Sequence, residues 1–260
     1  AGGAGALALV AFVRRQSRLD RTTGDALLSM RPLAVPTYRT GLAIQLMIMG
    51  CMLGTIVVLP LYLQTGRGLT PFEAGLVLVP GGVLQGLGSP LFGRLYDRFG
   101  PRPVIVPGAL TAALGQWLLA TSGPQTELAF VVASHMTFAL GMSMLMTPLM
   151  TTSLSALPKD LYAHGTVIAN TMQQVCGALG TGLMVTVATL GIAASSGGRE
   201  PSAPDLATGV PWAFTVAAAI TSAAAIFAIV FLRPRPSSSE QIGRGSPAPT
   251  CRDRATEGRG

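Results

Sequence analysis

Apolar residues do not alternate with polar ones along this chain; they run in blocks. Six blocks, at 41–63, 73–93, 103–122, 127–150, 165–194 and 209–232, carry no Asp, Glu, Lys or Arg away from their ends. About 20 residues at ~1.5 Å rise cross a hydrocarbon core of ~30 Å. Each block is therefore predicted as a membrane-spanning helix, and the fold class as all-α: a polytopic membrane helical bundle with six complete spans.

The opening run, AGGAGALALVAFV (1–13), is apolar but too short to span, and no basic segment of a signal peptide precedes it. It is predicted as the end of a truncated transmembrane helix. Residues 14–39 read as a basic connector whose patch "DALLSMRPLAVP" suits the membrane interface, and residues 40–232 as the six-helix bundle. Residues 233–260, rich in Pro, Ser, Gly and charge, are predicted as a disordered tail.

Composition agrees with a membrane protein. Charged residues make up 11% of the chain and apolar ones 49%, where soluble domains carry about 25% charged. The net charge of +7 comes with only 6% aromatics, so it is no nucleic-acid footprint and no nucleic-acid partner is expected. The partners expected are the lipid bilayer and a small-molecule substrate. Cys51, Cys176 and Cys251 lack CxxC spacing, so neither disulfide framework nor zinc site is expected. His135 and His164, the only histidines, stand in no catalytic or metal-binding spacing; an enzyme is not expected, nor any cofactor. The strong preference for Arg over Lys suggests a bacterial, GC-rich source.

Basic residues also orient the bundle, because cytoplasmic loops retain Lys and Arg. Connectors 14–39, 94–102 and 151–164 with the tail hold 16 of the 18 basic residues; those on the other side hold only Arg67 and Arg199. Both ends of the block, and the C-terminus, are predicted to face the cytoplasm.

One predicted cytoplasmic connector begins in "GRLYDRFGPR" (93–102). It resembles the loop motif of the major facilitator superfamily, carried here by Gly93, Leu95, Asp97, Arg98, Gly100 and Arg102, with Pro101 in place of a basic residue. "LPLYLQTGRGLTPFEAGLVLVPGG" (59–82) and "VIANTMQQVCGALGTGL" (167–183) resemble segments of the fourteen-helix drug:proton antiporters. In the second, Asn170, Gln174, Gly177, Gly180 and Thr181 carry the pattern and Ala178 departs from it. The resemblance implies the C-terminal half of a multidrug efflux transporter in the cell membrane, with a missing N-terminal helical bundle as its partner and a proton gradient as its energy source. It gives Gly93, Asp97, Arg98, Gly100 and Arg102 a gating role; an ordinary tight turn that anchors the membrane orientation remains the alternative.

Polar residues inside the spans are the remaining candidates, because each costs free energy in lipid unless bonded. Gln45, Gln85 and Gln116 are expected to face the bundle interior, as candidates to line a substrate cavity. Asn170 and Gln174 share a helical face; substrate contact and interhelical bonding both remain open for them. His135 either titrates or, the favoured reading, stands neutral and bonded to a neighbouring helix. Gly50/Gly54 and Gly82/Gly86 have GxxxG spacing and, with Gly177 and Gly180, are expected to pack helices closely. Pro80 is expected to bend or loosen its span. The methionines of the first and fourth spans cannot all line one cavity and are expected mostly to face lipid.

Overall fold

The computed structural model describes residues 29–231. The expectations for 1–13, for most of 14–39 and for 233–260 lie outside the described residues. Seven α-helices are present there: α1 (Pro36–Leu61), α2 (Pro71–Phe99), α3 (Arg102–Ala120), α4 (Leu128–Leu154), α5 (Tyr162–Ser196), the short α6 (Ala203–Gly209) and α7 (Pro211–Phe231). Among the described residues, six helices are long and apolar enough to cross a membrane. The architecture is an all-α membrane bundle.

Local chemistry sets the helix ends. α1, α2 and α7 open on proline, which has no N–H to leave unsatisfied in a first turn. At α2 the Glu73 N–H donates to Thr70 Oγ1 (3.3 Å), while the Thr70 N–H donates to the Glu73 carboxylate (2.8 Å). α1 ends in a single π-helical turn, Tyr62–Gly66, just after Pro60. α2 runs on past Pro80 and Pro90 as one assigned helix.

One expectation needs correction. Most of "GRLYDRFGPR" is helix rather than turn, because α2 continues to Phe99. Nothing between Arg94 and Phe99 breaks a helix, so the chain turns only at Gly100, at φ 87°, and Pro101. The Gly100 N–H closes the end on the Tyr96 carbonyl at 2.8 Å.

α1 is the hub, packed against α4, α5 and α7, while α3 sits between α4 and α7. Small residues allow the closest approaches. A Cβ on Gly180 of α5 would run into the backbone of Gly50 in α1, and one on Gly54 would meet the Met184 side chain. Gly177 faces Leu53 in the same seam. Between α3 and α4, Gly115 lies on the Phe138 backbone and Gly141 on the Ala112 backbone. With little hydrophobic drive between helices in lipid, this contact between backbones supplies much of the packing energy.

α2 and α5 form the flanks. Only 17% and 22% of their most apolar windows are buried, against 44–56% for the other spans. On α2, Phe72, Leu76, Val79, Val83 and Leu87 recur on one helical face and are all exposed. Gly82 and Gly86 are exposed too, with nothing within 4 Å of an added Cβ. No described helix packs on that GxxxG pair.

Candidate functional site

Along the seam where α1 meets α5, the sequence places carboxamides and small residues on facing sides, and two clefts open. Towards the end of the bundle that carries Arg94, Arg98 and Arg102, a cleft of about 350 Å³ lies between α1, α4 and α5. Gln45, Met146, Thr147, Met150, Thr151, Asn170 and Gln173 line it. Further along, a second groove of about 580 Å³ is lined by Gln174, Gly177 and Thr181 of α5 opposite Leu53, Ile56 and Val57 of α1. Asn170 and Gln174 are both exposed and fall in different clefts.

The first cleft is held by contacts on either side. Gly41 of α1 lies against Ser153 of α4. The Tyr38 hydroxyl donates to the Gly165 carbonyl of α5 at 2.7 Å. Gln45, 3% exposed, points its Nε2 at the Met150 sulfur, 3.8 Å away, and its Oε1 has no partner among the described residues.

The other amides differ in setting. Gln116 is fully buried between α3 and α1, where its Nε2 donates to Thr55 Oγ1 at 2.7 Å and Thr55 in turn donates to the Cys51 carbonyl at 2.8 Å. It lines neither cleft. Gln85 is half-buried on α2, and its backbone carbonyl accepts from Ser89 at 2.7 Å. His135 is 8% exposed, rests its ring against Gly81 of α2 and leaves Nδ1 without a partner among the described residues. The favoured expectation of a bonded histidine is thus not what the structure contains. Packing against a glycine fixes this ring instead.

Around the motif, Asp97, Arg98 and Arg102 are exposed and Gly93 is half-buried with open space beside it. Arg98 lies over the Phe99 ring at 5.2 Å. Asp97 makes no ion pair among the described residues, and no side chain caps α3. The residue that ties this end down is one the sequence reading passed over: Tyr96, buried, whose phenol oxygen accepts from Thr152 Oγ1 of α4 at 3.1 Å. A lone Tyr on the inward side of a charged helix end was the available signal. Of the methionines, Met142 is wholly buried and Met146 and Met150 face the first cleft. Cys51 and Cys176 are both free thiols, on either side of the α1–α5 contact.

The arrangement is a bundle with two uncovered flanking helices and an uncharged polar seam down the face between them. Nothing in that seam is a nucleophile or a strong base; it can bind and release, by hydrogen bonds and soft apolar contact.

Relatives have the same character. Lincomycin resistance protein LmrB of Listeria innocua is 39% identical over 187 residues, covering 72% of this chain and 39% of the relative. The uncharacterised MFS-type transporter YcnB of Bacillus subtilis is 31% identical over 240 residues, covering 92% and 50%. Puromycin resistance protein pur8 of Streptomyces alboniger is 30% identical over 257 residues, covering 94% and 50%. The chain spans half the length of these relatives or less. The sequence profile of the Major Facilitator Superfamily matches residues 1–181, well over half of the sequence. The chain belongs to the Major Facilitator Superfamily.

Proposed function

We propose that this chain forms the C-terminal six-helix half of a secondary active exporter, which moves small amphipathic molecules, antibiotics among them, out of a bacterial cell in exchange for protons. The observation that carries the reading is the pair of barely buried flanks, α2 and α5, on either side of a seam lined by carboxamides and hydroxyls. Such a face is half of a pathway. An N-terminal bundle of the same protein would cover the flanks and close the other wall, with substrate held between two halves that rock against each other.

Two relatives named for lincomycin and puromycin resistance support export of such compounds. The crowding of Arg and Lys at one end supports a cytoplasmic location for that end and for the C-terminus. There Asp97, Arg98 and Arg102 are exposed and free to engage the other half, which supports the gating role. Proton exchange needs a titratable group within the membrane. This half supplies His135 alone at depth, so the coupling carboxylates belong to the other half.

Accumulation of labelled lincomycin and puromycin in an efflux-deficient bacterium tests the reading. Cells expressing the complete reading frame should hold several-fold less drug than controls, and a protonophore should abolish the difference. Accumulation above the control level would mean import, and an unchanged level would sink the proposal for these compounds.

A further inference from the structure

The Gln45 cleft has a chemical bias that the transporter reading does not itself supply. A thioether accepts a hydrogen bond weakly and cannot donate one, so the Gln45 amide nitrogen faces Met150 and its oxygen is left over. That oxygen is buried and without a partner. Elsewhere in the bundle many Ser and Thr hydroxyls bond back to a carbonyl of their own helix, as Thr55, Ser134, Ser153 and Thr221 do. Thr147 and Thr151, on the cleft side of α4, are exposed instead, beside the carboxamides of Asn170 and Gln173. No lining residue carries a charge, and Met146 and Met150 supply adaptable apolar surface.

We propose that the cleft bounded by Gln45, Met150, Asn170 and Gln173 binds an uncharged hydroxyl or amide N–H group of a transported molecule, with the Gln45 amide oxygen as acceptor. The inference rests on the transporter reading for its ligand class. A buried acceptor without a partner selects ligands that bring a donor and disfavours those that do not, because an unmet polar group remains desolvated beside the latter. An ammonium would find no counter-charge there, so the group recognised is neutral. Gln45 lies nine residues into α1 from Pro36, about 14 Å along the helix axis. The subsite therefore sits nearer the arginine-rich end than the bundle centre, where a molecule arriving from that side meets it first.

The test is equilibrium binding to the purified complete protein, with two probes: lincomycin, rich in hydroxyls and bearing an amide, and tetraphenylphosphonium, which has no hydrogen-bond donor. Gln45→Leu should weaken lincomycin binding about tenfold, the effect of one lost hydrogen bond in a buried site. Tetraphenylphosphonium affinity should hold or improve. Asn170→Leu, on an exposed position where folding makes little demand, should weaken lincomycin several-fold. Thermal unfolding of each variant reports whether the bundle is intact. The proposal is overturned if lincomycin affinity stays within twofold of wild type in both variants, if both probes lose affinity equally, or if the wild type binds no lincomycin. Binding that responds as expected in a protein that exports nothing would leave the cleft standing and remove the transporter reading.

Discussion

Tyr96 of α2 and Thr152 of α4 meet through one hydrogen bond, with the Thr152 hydroxyl donating to the phenol oxygen across 3.1 Å. Tyr96 sits between Arg94 and Asp97 in sequence yet is buried while its charged neighbours are exposed. The bond pins the end of a helix that is otherwise little buried. Tyr96→Phe, and separately Thr152→Val, should each destabilise the protein by about 1 kcal/mol. The double variant should cost little more than either single one, because both remove the same bond. Thermal unfolding of the purified complete protein reads the cycle, and fully additive losses would mean that the pair is not coupled.

The approach of Gly180 to Gly50 predicts a second set of effects. Gly180→Ala places a methyl group into the α1 backbone and should cost about 1–3 kcal/mol, with lower yield in the membrane. Gly182→Ala, two residues along with nothing within 4 Å, should be neutral or slightly stabilising. Equal effects from the two substitutions would show that α1 and α5 are not in backbone contact.

His135 and Gly81 allow a compensation experiment. An added Cβ at Gly81 would stand 2.5 Å from the imidazole Nδ1 and Cε1. Gly81→Ala alone should therefore destabilise the α2–α4 contact, and combination with His135→Ala should restore part of the loss. A double variant worse than the sum of its parts would place the ring elsewhere.

Asp97→Asn removes a charge that makes no ion pair within the described residues. It should leave membrane insertion and thermal stability unchanged, within about 0.5 kcal/mol for a solvated surface group. Transport should fall, because the contact it disturbs is with the other half. Unchanged transport with unchanged stability would reduce the motif to an anchor of membrane orientation.

The sequence made the six spans legible because twenty uncharged apolar residues in a row have few other destinations. Their ends were harder to read. Gly93–Phe99 is charged enough to resemble a loop, but it contains no helix breaker before Gly100, and a helix leaving the membrane can carry arginines for two more turns. The short α6 also escaped, although Ser202 and Asp205 form a capping signature: the Asp205 carboxylate accepts from the Ser202 N–H at 3.0 Å. At the site, residue types were legible and groupings were not. Gln45 and Gln116 look alike in sequence, yet Gln116 ties α3 to α1 while Gln45 faces a cleft. Asn170 and Gln174, one turn apart, fall in separate grooves because α4 borders the first and not the second. The Gly115 and Gly141 contacts join single glycines on different helices, so no spacing within one helix announces them.

Export in exchange for protons is the central claim, and everted membrane vesicles read it most directly. With the complete protein in vesicles acidified inside by respiration, and a fluorescent pH probe present, adding lincomycin or puromycin should release protons from the lumen within seconds and recover the fluorescence. Vesicles lacking the protein should give no such signal. Drug uptake into the everted vesicles with no accompanying proton release, or no response to either compound, would contradict the account.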